Sequence, residues 1–384
     1  DPLEIAEKYG ADALRFNLVT GNSPGNDMRF YTERCEAMRN FANKIWNASR
    51  FLMMNLTIDQ CALPEKLELE DKWILSKLNR AIREITENMD RYELGVAAQK
   101  IYDFIWDDYC DWYIELTKTR LQGEDEDSKI RAQQVLCWVL TQMLKLLHPF
   151  MPFITEEIWQ ALPHEEERSR REPRGWTGAK ASAGAQAPET SLSRREAARC
   201  EQAELDNSAG NFLMLAAWPE ARAELDFPAE EKAMERIMDA IRAVRTRRSE
   251  MNVPPSKKAH LTVATGEQDT FRLGVPFLKK LAYASQVDIV PADQAPAAAG
   301  MVAVVTHAAQ MFIPLGELVD LEKEKARLEK ELKKNTAELD KLETKLQNPG
   351  FVNKAPEHVV AAERERAVHL RELVAKLEEQ IKGM

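Results

Sequence analysis

Apolar residues recur every three or four positions through most of the first 162 residues, which is the spacing of amphipathic helices. Pro2 and Gly21 flank the first segment, and proline near the start and glycine past the end are usual at helix termini. The pattern therefore predicts a helical bundle. The predicted helices cover residues 1–21, 71–89, 95–121 and 128–147.

A further helix is predicted after the His148–Pro149 break, because a proline ends the preceding helix. In the stretch "ITEEIW", Thr155 is expected to cap this helix, with two glutamates in the first turn. Ile154 and Trp159 then have the spacing of a hydrophobic staple. His148, at the end of a helix, is interpreted as structural rather than catalytic.

The chain changes character at residues 165–211, which are rich in Ala, Gly, Ser, Pro and Arg and lack an apolar period. Such a composition is typical of a flexible insertion. Helical periodicity returns over residues 229–250. Beyond it, "AHLTVAT", "VDIV", "MVAVVTH" and "MFIPL" predict short strands, and "TFRLGVPFLKKLAYAS" predicts a helix. We therefore expect a mainly α fold that includes a small α/β unit.

The tail, residues 317–384, carries two apolar ladders with alternating steps of three and four residues. The helix-breaking "NPGF" separates them, so the two arms are expected to fold back as an antiparallel coiled-coil hairpin. At a rise of 1.5 Å per residue, each arm is roughly 40 Å long. The ladders comprise Leu318, Leu321, Leu328, Leu332, Leu339, Leu342 and Leu346, then Val360, Ala367, Leu370, Val374, Leu377 and Ile381.

The composition excludes several classes of protein. The 384 residues are 44% hydrophobic and 30% charged, yet no apolar run reaches the length of about 20 residues that a membrane span needs. The five cysteines are scattered without a C-x-x-C pair, which argues against a disulfide framework or a zinc site. A net charge of −10 means that a polyanionic partner needs local basic patches. Neither a signal peptide nor an initiator Met is present, so we expect a cytoplasmic fragment of a longer protein.

The polar positions of the helix predicted around residues 39–56 are unusual for a surface that faces solvent. They are amides, cations and an indole, and they form two stripes beside an apolar one. One interpretation is an ordinary solvated face. The other is a surface that meets RNA, with cations for phosphates, Asn as donor and acceptor, and Trp as a stacking plane. The apolar stripe is Met38, Phe41, Ile45, Ala48 and Leu52; the polar stripes are Arg39, Asn43, Trp46 and Arg50, and Asn40, Lys44 and Asn47.

An acidic ladder follows the helix of "IYDFIWDDYCDWYIELTKTR". A di-metal carboxylate bundle would also need Glu-x-x-His motifs on partner helices, and the sequence has none. We therefore expect no metal, ion pairs with Arg or Lys on neighbouring helices, and aromatic residues that pack between helices. The ladder consists of Asp103, Asp107, Asp111 and Glu115, and the aromatic residues are Trp106, Tyr109, Trp112 and Tyr113.

The sequence contains no familiar catalytic motif: there is no G-x-S-x-G, Walker glycine loop or H-E-x-x-H. Cys110 lies close to Asp108 and Asp111, and negative charges raise the pKa of a thiol and disfavour the reactive thiolate. No catalytic residue is therefore predicted.

Two segments concentrate positive charge. In "IRAVRTRRSEMNVPPSKK" acids are few, which favours contacts with phosphates. In the first arm of the tail, interleaved Glu leaves a solvated exterior as an equal alternative. The candidate contacts with nucleic acid are Arg242, Arg245, Arg247, Arg248, Lys257 and Lys258 in the first segment and Lys325, Lys333 and Lys334 in the tail.

These motifs together resemble one protein family. "DPLEIAEKYGADALRF" is similar to the segment after the KMSKS loop of class I aminoacyl-tRNA synthetases, and "HPFMPFITEEIW" is shared by their valyl, leucyl and isoleucyl branches. "RNFANKIWNASRF", "DDYCDWYIELTK" and the tail with "NPGFVNKAPEHVV" resemble the bacterial valyl-tRNA synthetase family. The likeness runs in order along nearly the whole chain and is interrupted at 165–211.

The resemblance implies the C-terminal part of a valine–tRNA ligase, which attaches valine to tRNA(Val) using ATP. The family's catalytic HIGH and KMSKS motifs are absent, so this segment is expected to be inactive alone, to hold no cofactor, and to bind tRNA as a monomer. Alternatives are the same part of an isoleucyl- or leucyl-tRNA synthetase, or a coiled-coil scaffold without RNA binding. The implied domains are a stem-contact region at 1–60, which links to the catalytic domain, an anticodon-binding bundle at 61–250, a connecting α/β unit at 251–316 and a tRNA-bracing arm at 317–384.

Overall fold

The computed structural model of the chain consists of two compact units, Asp1–Arg236 and Ile237–Met384. It confirms the mainly α fold with a small mixed sheet. The division into four domains stays a prediction, and the insertion at 165–211 and the "NPGF" turn lie outside the described residues. In the described part of the chain, no helix combines the length and apolar content needed to cross a bilayer. The structure describes residues 1–20, 29–163, 212–297 and 300–318, and in the tail 332–333, 335–340, 342, 367, 370–371 and 374.

The first unit is a helical bundle. Its helices are α1 (Pro2–Tyr9), α2 (Ala11–Val19), α3 (Thr32–Asn55), α4 (Leu69–Asp90), α5 (Leu94–Asp103), α6 (Ile114–Leu121), α7 (Glu126–Leu147), α8 (Pro152–Gln160) and the first turns of α9 (Pro228–Glu250), with a π-helical segment at Phe104–Tyr113 and 3₁₀ turns at Leu213–Leu215 and Ala223–Leu225. Helix α4 contacts α5, the π-helical segment and α7. Its apolar positions, such as Trp73, Leu78 and Ile85, are fully buried, because their spacing places them on the side that faces these neighbours.

The first predicted helix, 1–21, is interrupted. The chain breaks between α1 and α2 at Gly10, whose φ of 94° lies in a region that favours glycine. The prediction of one continuous helix is therefore wrong. The non-helical backbone at Gly10 lets the chain change direction between α1 and α2, which one continuous helix would not allow.

The residues of the predicted helix 95–121 are all helical, but their hydrogen-bond pattern changes along the segment. Across Phe104–Tyr113 it is π-helical, and at its end the Ile114 amide donates to the Tyr109 carbonyl, five residues back. A π-helical hydrogen bond spans five residues rather than four, so this stretch is wider than the α-helices on either side of it. Tyr109 and Tyr113 are fully buried, as expected for aromatic residues that pack between helices.

Helix α8 begins earlier than predicted. Thr155 lies inside the helix, and its buried hydroxyl donates to a backbone carbonyl of the preceding turn at 2.7 Å. The prediction of Thr155 as N-cap is therefore wrong. The Asp12 carboxylate takes this role, since it accepts from the backbone amides of Phe153, at 3.3 Å, and Ile154, at 2.7 Å.

The second unit combines the C-terminal part of α9 with the mixed sheet. Its further elements are β1 (Ala259–Thr265), α10 (Gln268–Leu273), α11 (Val275–Leu281), β2 (Ala284–Pro291), a 3₁₀ turn (Ala292–Gln294), β3 (Met301–Val305), β4 (Ala309–Pro314) and α12 (Leu315–Leu318). The strand order is β2-β1-β4-β3, with β1 parallel to β2 and antiparallel to β4. Strand β3 is antiparallel to β4. The four predicted strands are confirmed, whereas the single helix predicted between the first two strands is wrong.

That predicted helix divides into α10 and α11 at Gly274. A Cβ atom at this position would lie 2.9 Å from the side chain of Ile237. Glycine leaves room here for the buried Ile237 side chain, and the apolar pattern on either side of Gly274 does not predict that contact.

Part of the predicted tail hairpin lies among the described residues. Leu339 and Leu342 from the first ladder form one buried cluster with Ala367 and Leu370 from the second, and Val374 packs against it. The two ladders thus meet at this point, as a hairpin requires. The coiled coil as a whole stays a prediction.

Two of the described cysteines are paired. Cys61 and Cys137, separated by 76 positions in sequence, form a disulfide with Cα atoms 5.3 Å apart. The connection between α3 and α4 is also hydrogen-bonded to α7, since the Thr57 amide donates to the Gln133 side chain at 2.8 Å. The scattered spacing of the cysteines argued against a disulfide framework. It could not reveal this single pair, because only the fold brings Cys61 and Cys137 together.

Candidate nucleic-acid interface

Helix α3 carries the first predicted surface, and its apolar side packs into the bundle. The buried side consists of Cys35, Phe41, Ile45, Ala48, Ser49 and Leu52. Met38, predicted to belong to this stripe, is only half-buried. Because the buried stripe fixes the rotation of the helix about its axis, the opposite side is left facing solvent.

Four residues of the predicted polar stripes form what we call the outer face of α3: Asn43, Trp46, Asn47 and Arg50. All four are exposed, and Trp46 keeps 43% of its surface in solvent. Among the described residues, Arg50 has no carboxylate partner. This face therefore offers a stacking plane, two amides and a cation that no described carboxylate neutralises.

The other two predicted contacts on α3, Arg39 and Lys44, are engaged within the protein. Arg39 pairs with Glu36 at 3.0 Å, and its guanidinium lies 5.7 Å from the centre of the Tyr9 ring. The Lys44 ammonium is 2.6 Å from the Asp111 carboxylate and lies over the ring of Trp106. The charges of Arg39 and Lys44 are thus largely compensated within the protein. Within the described part of the chain, only the outer face among the predicted contacts on α3 remains free to meet a partner.

A column of aromatic rings holds α3 in place. Phe41 lies 5.4 Å from Phe16 and 4.6 Å from Tyr102, measured between ring centres. Tyr102 in turn stacks on Trp106 at 5.5 Å. Burial and the nearby carboxylates, Asp107 first, raise the pKa of Tyr102. The column ties α2, α3 and α5 together, so the outer face is presented by a rigid helix.

The basic segment of α9 carries less free charge than its sequence indicates. Arg242 pairs with Asp239 at 2.8 Å, and Arg247 pairs with Glu250 at 3.1 Å. The same four residues line an open groove of about 630 Å³ together with Ala243, Thr246, Ala303, Val304 and Thr306. Acids and bases alternate along this groove, so it is not a strongly positive surface.

Arg248 departs from its predicted role. It is only 3% exposed, and its Nη2 atom donates to the backbone carbonyls of Pro254, at 3.2 Å, and Lys257. The prediction that Arg248 faces a phosphate is therefore wrong, because a buried guanidinium bonded to backbone cannot reach one. Desolvation by burial lowers the pKa of Arg248, and the charge of a nearby tyrosine, Tyr283, opposes this shift.

The remaining predicted contacts of the second unit face solvent. Arg245 and Lys258 are exposed, Lys257 is half-exposed, and Lys333 is exposed on the tail. Lys325 and Lys334 lie outside the described residues. The structure thus brings Arg245, Lys257 and Lys258 to the end of α9 and the loop after it.

Residues 71–263, half of the chain, match the family model described as the anticodon-binding domain of tRNA ligase. The chain belongs to this anticodon-binding domain family. Residues 320–384 match the model described as the valyl tRNA synthetase tRNA binding arm. Together these matches confirm the resemblance to the C-terminal part of valyl-tRNA synthetases.

Individual relatives agree with the family assignment. The valine–tRNA ligase of Clostridium acetobutylicum is 43% identical over 390 residues, which cover 100% of this chain and 39% of that protein. The valine–tRNA ligase of Carboxydothermus hydrogenoformans is 44% identical over 376 residues, 95% of this chain and 37% of that protein. The chain thus spans about two fifths of the length of these curated relatives. A solved methionyl-tRNA synthetase from Mycobacterium tuberculosis matches at 19% identity and a TM-score of 0.36, covering 41% of this chain and 34% of that one, which is too weak for a comparison of folds.

In this member of the anticodon-binding family, helix α2 is fixed to the bundle by residues that the sequence analysis missed. Besides the cap formed by Asp12, Arg15 donates from Nε to the Phe150 carbonyl and from Nη2 to the Pro149 carbonyl, each at 3.3 Å. Burial raises the pKa of Asp12, and the two amides that it accepts from oppose the shift. Both residues lie in "GADALRF", one of the motifs that carry the family resemblance.

A buried charged cluster links three elements of the anticodon-binding domain. Arg120 donates from Nη1 to both carboxylate oxygens of Asp71, at 2.8 Å each, and to Glu70 at 3.0 Å. The Tyr113 hydroxyl donates to Asp71 at 2.7 Å. Burial first and the charge of Asp71 second raise the pKa of Glu70 to about 7. The cluster joins α4 to α6 and to the π-helical segment.

The acidic ladder of this domain is paired rather than free. Asp111 pairs with Lys44, and Glu115 pairs with Lys118. Asp103 accepts from the Gln99 amide at 2.7 Å. The expected ion pair with a neighbouring helix is thus present at Asp111. Within the described residues, no three His, Cys, Asp or Glu side chains come together as a metal site.

Proposed function

We propose that this chain binds tRNA(Val) and is the tRNA-binding part of a valine–tRNA ligase, which joins valine to that tRNA using ATP. The observation that carries this proposal is the outer face of α3, an exposed indole flanked by two amides and an uncompensated arginine. We propose valine as the amino acid because the relatives are named valine–tRNA ligases. We further propose that the chain acts as a monomer in the cytoplasm and that ATP binds elsewhere in the parent enzyme.

The chemistry of the outer face suits RNA better than protein. Unpaired RNA bases stack on aromatic side chains, with a contribution of about 1–3 kcal/mol per base. The amides of Asn43 and Asn47 provide both donors and acceptors for base edges and 2′-hydroxyls. Arg50 supplies the charge for a phosphate. The buried stripe and the aromatic column fix the helix backbone that carries these groups, which lowers the entropy lost on binding.

Filter binding of the full chain to total tRNA, over a series of salt concentrations, tests the proposal. The wild type should bind, with affinity that falls steeply as salt rises. The double variant Trp46→Ala with Arg50→Ala should lose about tenfold in affinity and about one unit of salt slope, with an unchanged melting temperature. Arg91→Ala with Tyr92→Ala is the matched control, because it removes an exposed arginine and an exposed aromatic ring elsewhere in the bundle.

Two further measurements address the parent enzyme. Competition by tRNA(Val), tRNA(Ile) and tRNA(Leu) separates the valyl branch from its neighbours, and tRNA(Val) should compete best. ATP–pyrophosphate exchange by the isolated chain should stay at background. Absence of tRNA binding even at low salt would reject the proposal and leave the scaffold alternative.

A further inference from the structure

The loop that follows α9, residues 251–258, is tied back onto the helix by a buried arginine. The Arg248 guanidinium donates to two loop carbonyls, those of Pro254 and Lys257. The Val253 amide donates to the Arg248 carbonyl at 2.9 Å, which closes the start of the loop. The two ends of the loop are therefore both fixed to one residue.

The backbone around this clamp is left-handed at two residues. Asn252 in the loop has a φ of 53°, and Tyr283 has a φ of 57°. Asparagine tolerates this conformation, whereas it is unfavourable for the bulky Tyr283, so the contacts of Tyr283 must enforce it. The Tyr283 ring lies 5.5 Å from the Arg248 guanidinium, and its carbonyl accepts from the Ala259 amide just past the loop. The loop is thus built to hold one conformation.

The clamped loop presents uncompensated charge. Lys257 is half-exposed and Lys258 is exposed, and neither has a carboxylate partner within the described part of the chain. The neighbouring Arg242 and Arg247 differ, because each is paired with a carboxylate on its own helix. The two lysines are adjacent in sequence, so a fixed loop holds their Cα atoms close together, and their flexible side chains both start from that one place.

We propose that Arg248 is a positioning residue that holds the loop 251–258 so that Lys257 and Lys258 bind neighbouring phosphates of an RNA backbone. The proposal rests on the tRNA binding proposed above and deepens it. Arg248 itself contacts no phosphate, since its guanidinium is buried and occupied by carbonyls. Both hydrogen bonds come from Nη2, which lies between the two carbonyls, and the planar group lies beside the Tyr283 ring; a lysine ammonium reproduces neither the position of Nη2 nor the planar contact.

Filter binding of total tRNA to the full chain tests the clamp with two kinds of variant. Lys257→Gln with Lys258→Gln should lower affinity and reduce the salt slope by about two units, one for each lost phosphate contact. Arg248→Lys keeps the charge but loses the planar group and the position of Nη2, so it should reproduce most of this loss. Added to the double lysine variant, Arg248→Lys should have no further effect, because it acts only through those lysines.

Controls separate positioning from unfolding. Circular dichroism identifies a temperature at which each variant is folded, and binding is compared there. If Arg248→Lys does not fold, Tyr283→Gly replaces it, since glycine suits the left-handed backbone and removes the supporting ring; it should lower both affinity and slope. Arg272→Lys, at an exposed arginine paired with Asp269 on α10, should change neither.

Each outcome decides between distinct conclusions. The positioning role is overturned if the double lysine variant loses tRNA affinity and salt slope while Arg248→Lys, or Tyr283→Gly in its place, keeps both. The positioning role is also overturned if adding Arg248→Lys to the double lysine variant lowers the affinity further than the double variant alone. If the wild type binds and the lysine variant matches it, the loop is not a phosphate contact, although tRNA binding stands. If the wild type does not bind at low salt, the proposed function itself fails.

Discussion

At the scale of single residues, one type of side chain has three different environments here. Arg50 is exposed on α3 without a described carboxylate partner, Arg242 is paired on its own helix, and Arg248 is buried against backbone carbonyls. All three looked alike in the sequence, since each lies in a polar or basic stretch. Charge therefore marks a candidate contact, but burial and partners decide whether the charge is available to a phosphate.

Tyr92 gives a prediction at this scale. It ends α4 with a φ of 60° and is 85% exposed, while the Glu93 amide donates to the Asn88 carbonyl as in a glycine-type helix end. Tyr92→Gly should therefore raise the unfolding free energy by about 0.5–1 kcal/mol, because glycine adopts this backbone without strain. Urea unfolding monitored by circular dichroism measures it. Tyr92→Ala keeps the strain and should bring no gain; a loss in the glycine variant would show that the ring contributes contacts.

At the scale of elements, the apolar period located the helices well but missed what ends and shapes them. Helix α8 is capped by Asp12, which lies 141 and 142 residues before the amides it accepts from. The π-helical segment Phe104–Tyr113 lies inside a stretch whose pattern predicts an ordinary helix. Caps and π-turns depend on single contacts with distant elements, and a periodic pattern averages over such contacts.

The cap on α8 leads to a prediction for that element. Asp12→Ala should lower the unfolding free energy by about 1–2 kcal/mol, because two amides at the start of α8 lose their acceptor. Asp12→Asn keeps an acceptor oxygen and should cost less. Thermal unfolding of both variants is compared with that of Asp1→Ala, which removes the exposed cap of α1 and should have a small effect. Equal losses in the Ala and Asn variants would mean that charge, and not hydrogen bonding, stabilises this helix start.

At the scale of the whole molecule, buried carboxylates link stability to pH. Burial and the charge of Asp71 raise the pKa of Glu70 to about 7, from 4.5. Burial likewise raises the pKa of Asp108 to about 6, from 3.8. At a pH between the ordinary pKa of the group, which applies to the unfolded chain, and its raised pKa in the folded chain, the folded chain keeps a proton that the unfolded chain has lost. Each group therefore favours the folded state at low pH, and its contribution falls as pH rises through that interval.

Glu70→Gln tests this linkage. The unfolding free energy of the wild type should fall between pH 4.5 and 7 relative to the variant, with a slope of at most about 1.4 kcal/mol per pH unit. The glutamine keeps an acceptor for Arg120 and does not titrate. Urea unfolding at several pH values gives the difference between the two proteins, which cancels other groups such as His148. Parallel pH profiles would show that Glu70 is already ionised in the folded state.

The mainly α fold, most helix positions, the four strands and the buried side of α3 could be predicted from the amino-acid sequence, and its motifs carried the family resemblance. The positions of the elements follow from short-range geometry, because the period of apolar residues reports which side of an element is buried. The tertiary structure was needed to show which cations are available, since Lys44 is paired with Asp111, 67 residues away, and Arg248 is buried under its own loop. It alone decided the cap of α8 and the pairing of Cys61 with Cys137. Such pairings depend on which distant segments meet in space, and local periodicity contains no information about that.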